Sequence, residues 1–554
     1  MKKISVILAI GFIFYSPSIY LTANVDTNSF YFNDDDDFDF DDFGSSSDLN
    51  ISKDDLLKYI PPVQKRSITS NTNDWANALL ALQLSGNEII LNQSLYQRTN
   101  PIRTRTILDY PFALTYGFDA QGKNIASLDL YANIAWPKNF TQSSQFLSSY
   151  LNTENQDILD ILDNITEQFM IENALDFGET FALLSPGKVV EIRAGGLLQT
   201  HFSRDKWNIN LQLPVQYVAR AFYLTPAEKD LLMNSPLASS FETENNISES
   251  QFYYENFFVD QLGIGDFKIK AMYQVQQSPH FDVNIGGFII LPVATAIQKG
   301  VIGTWLEQNN NRAYLDLRTI NPDGSVPLTG KNQDDITNFF MGAINKLNSN
   351  ILYPLLGNNG HVVTAFSCNT DWYFAQNWKF CGDYSFEIPL RAHEQRFYKA
   401  VQSNTDFENQ FNTLANNYNT SFDDSDANAL VLFANQKIQD MFFPFVYNTL
   451  VWPGLIVNST NQFVVSHDYW GVQFGSNFWY QAKEQITAPI APRNYDISVV
   501  PASSAAQGKV FGKFNYNFDC QNNSWSLSAY TDITVWNSGI GNDYTICISL
   551  DCKF

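Results

Sequence analysis

What most limits the folds open to this chain is a set of long segments in which apolar and polar residues alternate one by one. Trp207, Ile209, Leu211, Leu213, Val215 and Tyr217 share one parity; Asn208, Asn210, Gln212 and Gln216 share the other, with Pro214 the exception. Successive side chains of a strand point to opposite faces, so this segment reads as a strand wetted on one side and apolar on the other. The pattern recurs. Leu128, Leu130, Ala132, Ile134 and Trp136 oppose Ser127, Asp129 and Asn133, and Val190, Ile192, Ala194 and Leu198 oppose Glu191, Arg193 and Gln199. Phe267, Ile269, Ala271, Tyr273 and Val275 oppose Lys268, Lys270, Gln274 and Gln276, and Trp525, Leu527, Ala529, Ile533 and Val535 oppose Ser526, Ser528, Asp532 and Thr534. In Phe281–Leu291 the same alternation is blurred at its end by Phe288 and Ile290. An eleven-residue strand rises about 36 Å, and a tilt of about 40° brings its height to about 28 Å, close to the apolar band of a membrane barrel. Strands of soluble proteins are usually about five or six residues long.

Composition agrees with one face in lipid and the other in water. Charged residues are only 16%, aromatics reach 15%, and the formal charge of −23 argues against nucleic acid as a partner, since phosphate attraction needs Lys and Arg. Lys2 and Lys3, the apolar run Ile4–Tyr20 and the small-residue exit Leu21-Thr22-Ala23 have the form of a secretory signal peptide, with cleavage expected after Ala23. A membrane anchor is the weaker alternative, because Ser16, Pro17 and Ser18 interrupt the run. No later segment is long and apolar enough for a spanning helix.

The expected fold is all-β: a transmembrane antiparallel up-and-down β-barrel of about fourteen strands, between twelve and sixteen, with short helices in long loops. Tight connections are expected at Ser203–Lys206, Gln277–His280 and Gln521–Ser524, and long ones at 224–262, 321–360 and 392–462. Ile158, Ile161, Leu162, Ile165 and Phe169 have helical spacing, as do Phe339, Phe340, Ala343, Ile344 and Leu347. The chain divides into a signal peptide (1–23), an N-terminal extension acting as a periplasmic tail or a plug (24–104) and the barrel (105–554). Within the extension, Asp34–Asp37, Asp39, Asp41 and Asp42 crowd a stretch punctuated by Phe38, Phe40 and Phe43. Such crowding of like charge is usually solvated; a Ca²⁺ site is conceivable, but the spacing is not that of an EF-hand loop. Of the five cysteines, Cys368 and Cys381 flank a possible hairpin and either pair or stay free, while Cys520, Cys547 and Cys552 are expected not to pair with one another. Neither the cysteines nor the isolated His280, His361, His393 and His467, read as surface or rim residues, show metal-ligand spacing. No cofactor is expected.

The sharpest signal is the end of the chain. Tyr544, Ile546, Ile548, Leu550, Cys552 and Phe554 alternate without interruption, and the last residue is Phe. This resembles the C-terminal insertion signal of bacterial outer-membrane β-barrel proteins. The resemblance implies that Tyr544, Ile546, Ile548, Leu550 and Phe554 are read by the barrel-assembly machinery, after export, on the way to the lipid of a Gram-negative outer membrane. Cys552 is smaller than the usual residue there.

Two internal motifs carry further resemblances. Gly263-Ile264-Gly265-Asp266, the strand that follows and the return strand ending Leu291-Pro292-Val293-Ala294 resemble a hairpin of the long-chain fatty-acid and aromatic-hydrocarbon transporter type, without that family's Thr-Gly at the corner. The resemblance covers about thirty residues and implies passage of a hydrophobic small molecule; read alone, the glycines mark a turn or a bulge. His201-Phe202-Ser203, with Asn208 and Asn210 nearby, is similar to the arrangement of outer-membrane phospholipases, in which an Asn orients the His beside a Ser nucleophile. In those enzymes a Gly soon follows the Ser and the site faces lipid; here Arg204-Asp205 follow, and parity puts His201 and Ser203 on the aqueous face.

If the barrel is a pore, its polar alternates line it: Asp129, Glu191, Arg193, Asn208, Asn210, Gln212, Lys268, Lys270, Gln274 and Asp532. Rings of such charges tune selectivity, whereas internal ion pairs would merely fill a closed lumen. The leading functional expectation is an outer-membrane channel or transporter for small solutes, hydrophobic ones included. Behind it stand a structural or adhesive surface barrel working through its loops, and a membrane-embedded hydrolase using His201 and Ser203.

Overall fold

The computed structural model describes residues 103–114, 124–136, 188–223, 257–302, 351–400, 445–487, 495–497, 500–520 and 523–554, with single positions between 409 and 433. The signal peptide, the acidic segment and both helical signals lie outside the described residues.

The strands are β1 (Ile125–Trp136), β2 (Lys188–Arg204), β3 (Trp207–Tyr223), β4 (Phe258–Ile264), β5 (Phe267–Gln277), β6 (Phe281–Leu291), β7 (Thr295–Lys299), β8 (Val363–Ala375) and β9 (Trp378–Pro389). They continue with β10 (Ala392–Ala400), β11 (Phe445–Trp452), β12 (Ile456–Ser466), β13 (Trp470–Gln481), β14 (Gln485–Thr487), β15 (Tyr495–Asp496), β16 (Ala505–Cys520), β17 (Asn523–Ser538) and β18 (Asn542–Lys553). Twelve of them close a ring in the order β1-β2-β3-β5-β6-β8-β9-β12-β13-β16-β17-β18, every neighbour antiparallel, with β4 and β7 bonded outside it to make a sheet of fourteen. Closure is made by β1 on β18, from Ile125 opposite Lys553 to Trp136 opposite Asn542. Asn124 and Phe554 complete it by exchanging backbone hydrogen bonds of 3.1 and 2.9 Å.

One end of the ring carries tight turns, Asp205-Lys206, 278–280, 376–377 and 467–469, together with the facing pair Cys520 and Asn523, and Asn124 and Phe554. Asp205 takes φ 53°, as the two-residue hairpin requires. At the other end the connections after β1, β3, β7 and β10 are long. That end also carries a second sheet, β14-β11-β10-β15. The segment 392–462, expected as a loop, therefore contains β10, β11 and the start of β12. The alternation of β10 is hidden because its buried face is Glu394, Arg396 and Tyr398, two charges in place of apolar residues.

Burial sorts the faces as the alternation implies. Leu130, Ile209, Leu527, Ile546, Ile548 and Leu550 are exposed, while their polar neighbours Asp129, Asn208, Ser528, Thr545 and Ser549 are buried. A sheet with its apolar side outward and its polar side enclosed is stable only where hydrocarbon replaces water outside. Trp207, Trp372, Trp378, Trp470 and Tyr516 stand exposed near the turn end, where an aromatic girdle belongs.

The strand pair β4–β5 is one long strand broken by a bulge. β3 pairs with β5 up to Gln212↔Lys268 and with β4 from Val215↔Ile264, so two residues of β3 face three on the partner. The cause is Pro214, which has no N–H to offer the ladder, and the Gly265 N–H donates to the Pro214 carbonyl at 2.8 Å instead. A Cβ on Gly263 would stand 2.4 Å from the Thr295 carbonyl oxygen, and one on Gly265 2.6 Å from Pro214 Cγ. Asp266 then pins the corner by accepting from the Ala294 and Asn358 N–H groups at 3.2 and 2.5 Å.

Cys368 and Cys381 form no disulfide and lie three register positions apart on β8 and β9. Cys381 is buried on the inner face and Cys368 has the opposite parity, so the hairpin does not bring them together.

Candidate functional site

Among the described residues, the inner face of the ring packs against an inserted segment. Residues 103–114 occupy the lumen as a plug, with a 3₁₀ turn at Ile107–Asp109 and a helical turn at Pro111–Leu114. Ile107, Leu108, Tyr110 and Phe112 of the plug pack against Tyr131, Leu197, Phe288, Ile290, Phe511 and Tyr530 of the wall. Phe288 and Ile290, which blur the alternation of β6, are thus inward residues of an apolar belt around the plug.

So short a segment satisfies few of its own backbone groups, and wall side chains supply the rest. Arg193 donates to the Arg105 carbonyl at 2.7 Å and to Thr104 Oγ1 at 2.7 Å. Lys268 reaches the Leu108 carbonyl at 3.3 Å, Asn458 that of Asp109 at 3.2 Å, and Gln212 that of Ala113 at 2.6 Å. From the plug, Arg105 donates to Asn477 and Gln507, both at 3.0 Å, and Tyr110 donates to Asp543.

The residues expected to line a pore lie on this inner face. Glu191 bonds Arg193 at 2.6 Å and Arg220 at 2.5 Å, all three almost fully buried. Arg220 also donates to the Tyr353 carbonyl at 2.8 Å, so the same carboxylate ties the plug to the segment 351–361. Asp129 is bonded to Gln199, which accepts from Gln212 at 2.7 Å. Asp532 and Asp543 share Lys509 at 2.7 and 2.5 Å, and that ammonium stands 4.2 Å from the centre of the Tyr110 ring. Lys268 lies 4.1 Å from the Phe288 ring centre, and Lys270 pairs with Asp383 at 2.8 Å. Asn208 and Gln274 are buried and Asn210 is half-buried nearer the turn end. His201 is buried there too, opposite Ile125 and Asn210 and hydrogen-bonded to Asn208, while Ser203 is half-buried opposite Asn208.

Sequence reasoning missed Arg220, Asp543 and Lys509, although each sits on the polar parity of its strand. It offered a plug only as one reading of 24–104 and counted 105–114 with the barrel, the Ile107–Phe112 run having no period.

Beyond the long-loop ends of β8 and β9 lies a cleft of about 120 Å³ between the plug and the second sheet. Its wall is charged: Arg103, Arg105, Asp109, His361, Glu394, Arg396 and Glu484. His361, expected at a surface or rim, is buried here. It faces the Leu390 carbonyl with Nδ1 at 2.7 Å and Glu394 with Nε2 at 2.6 Å. Only the doubly protonated ring donates to both acceptors, and although burial opposes it, these bonds raise the His361 pKa above its ordinary value. Burial likewise opposes ionisation of Glu394, but Arg396 at 2.8 Å and His361 together hold its pKa below the usual carboxylate range. Arg396 continues to Glu484 at 3.3 Å, and Glu484 to Arg103 at 4.0 Å. Among the described residues no group of three or more His, Cys, Asp or Glu is placed to hold a metal ion.

Fold and site together define a plugged, twelve-stranded transmembrane β-barrel. The chain is similar at low identity to several solved structures. One is an outer membrane channel from Pseudomonas putida F1: 8% identity over 79% of this chain and 100% of that one, TM-score 0.37. Another is the Pseudomonas putida toluene transporter TodX: 9%, 82% and 95%, TM-score 0.25. A third is the translocator domain of the autotransporter NalP from Neisseria meningitidis: 5%, 79% and 90%, TM-score 0.27. No family model and no curated protein matches the chain.

Proposed function

We propose that the protein is an outer-membrane channel or transporter for small solutes, closed at rest by residues 103–114. The observation that carries the reading is how the plug is held. No strand ladder joins it to the wall; it is fixed by separate side-chain bonds to its backbone, each contributing about 1 kcal/mol, and by an apolar belt. A segment held in this way moves without unzipping the barrel. Once it moves, Tyr131, Leu197, Phe288, Ile290, Phe511 and Tyr530 offer an apolar ring, which favours hydrophobic solutes, and the inward polar residues line the path on either side.

The test is solute flux and conductance of the full chain in liposomes and planar bilayers, beside Phe112→Ala, which removes the ring packed on Tyr131 and Tyr530. Wild type should conduct in rare openings and the variant more often, with a small aromatic solute passing faster than a sugar of similar size. Absence of flux from both, with the barrel folded, would sink the transport reading.

A further inference from the structure

The lipid-facing side of the wall is not apolar throughout. Across β8, β9, β12 and β13 the ladder sets Thr370 against Gly382, Gly382 against Asn461, and Asn461 against Ser476. One step towards the long-loop end, Tyr384 stands between Cys368 and Ser459. All of these have the outward parity of their strands, and Ser476 and Tyr384 are exposed. Asn461 is the midpoint of β12, five residues from either end. That is about 17 Å along a strand and, at a tilt of about 40°, about 13 Å in depth, the middle of the apolar band. Apolar residues border this polar island. Towards the turns lie Phe380, Phe463 and Phe474, with neighbouring ring centres 5.0 and 5.4 Å apart, and towards the long loops Phe386 and Val457.

Hydrocarbon offers a polar side chain no partner. The island answers part of its own demand. Tyr384 donates to Asn461 Oδ1 at 2.8 Å, and Asn461 Nδ2 donates to Ser459 Oγ at 3.2 Å. A carboxamide carries two N–H groups, so one donor of Asn461 remains, next to the hydroxyl of the exposed Ser476 on the neighbouring strand. The island is also flat. A Cβ on Gly382 would stand 2.5 Å from the Tyr384 hydroxyl oxygen and 2.7 Å from a carbon of its ring. The ring therefore lies down over Gly382 instead of projecting between acyl chains, a posture that needs residue 382 to have no side chain.

We propose that this island is where a second copy of the chain packs in the membrane, wall against wall, as a two-fold dimer. Insertion gives every copy the same orientation and the same depth, so the axis relating two of them is normal to the membrane. Asn461 then stands level with the partner subunit's Asn461. A carboxamide both donates and accepts, so the island is complementary to itself. Lipid is not, and an unrelated barrel has no reason to carry hydrogen-bonding groups at this depth. The flat ring and the glycine beneath it let the two walls approach closely. The proposal rests on the lipid-facing side alone and holds whatever the lumen conducts.

The experiment puts the photo-cross-linking residue p-benzoylphenylalanine into the full chain in the outer membrane, in place of one of two exposed aromatics. One is Phe386, beside the island; the other is Tyr544 on β18, five strands further round the ring. Only chains with heat-modifiable mobility are scored. Irradiation of intact membranes should join two copies from position 386 and not from position 544. Asn461→Leu, which leaves only hydrocarbon at the centre, should lower the yield from position 386 about ten-fold. Gly382→Ala is the second variant. Its methyl meets only the far end of the Tyr384 side chain, so the barrel should fold, but the raised ring should cut the yield several-fold. Should Asn461→Leu fail to insert, Gly382→Ala decides. Equal yields from the two positions, adducts with lipid or another protein alone, or an undiminished yield in the deciding variant would each overturn the proposal.

Discussion

Glu191 is the residue on which most of the lumen depends. Its two oxygens serve Arg193, which holds the plug at Thr104 and Arg105, and Arg220, which holds the segment at Tyr353. Breaking a buried ion pair from one side costs about 3–5 kcal/mol, because the remaining charge is stranded without water. Glu191→Gln strands part of two guanidinium charges, so we expect a loss of about 3 kcal/mol or more in urea unfolding and a rise in open-channel events. An unchanged midpoint would mean that water reaches this cluster. A second effect at this scale is set by pH. His361 has a raised pKa when folded, so its contribution is complete below its ordinary value of 6.5 and is lost as pH rises through the folded value. Glu394 has a lowered one, so its contribution is complete above 4.5 and is lost as pH falls through the folded value. The contact between the second sheet and residue 361 is therefore strongest between those two ordinary values. As pH rises from 6.5 through the folded pKa of His361, wild type should lose stability, and His361→Gln should flatten that slope; equal slopes would remove His361 as the source.

At the scale of elements, the β4–β5 bulge shows how much local sequence says and where it stops. Pro214 in a strand and Gly263-x-Gly265-Asp266 in its neighbour are legible as an interruption of pairing. Which carbonyl each glycine approaches is not, because Thr295 and Leu356 come from later in the chain. Gly263→Ala sets a methyl 2.4 Å from the Thr295 oxygen, a backbone atom that cannot step aside. We expect about 1–3 kcal/mol of destabilisation, read as faster amide exchange in β4 and β7 while β5 and β6 stay protected. Uniform loss of protection would show instead that the bulge belongs to the cooperative core. β10 is the opposite case: its inner residues are charged, and only the second sheet, meeting the cleft with Glu394 and Arg396, makes it a strand.

For the whole molecule, assembly and stability are expected to part company at Phe554. Phe554 is 59% exposed, and its backbone, not its ring, completes the bonds with Asn124. Phe554→Ala should therefore change unfolding of the assembled barrel by no more than about 0.5 kcal/mol, yet lower the amount that reaches the outer membrane, as membrane fractions and heat-modifiability would record. Normal levels would detach the terminal aromatic from insertion. The sequence by itself determined which face of each ribbon meets lipid, because a strand's period of two leaves one assignment once one row is apolar over a membrane's thickness. Whether the opposite row meets water or protein it left open, since polar inner residues suit a wet pore and a filled one equally. Only the tertiary structure decided that, by threading residues 103–114 through the ring and setting Arg105 against Asn477 and Gln507, and Tyr110 against Asp543, groups hundreds of positions away that no local pattern connects.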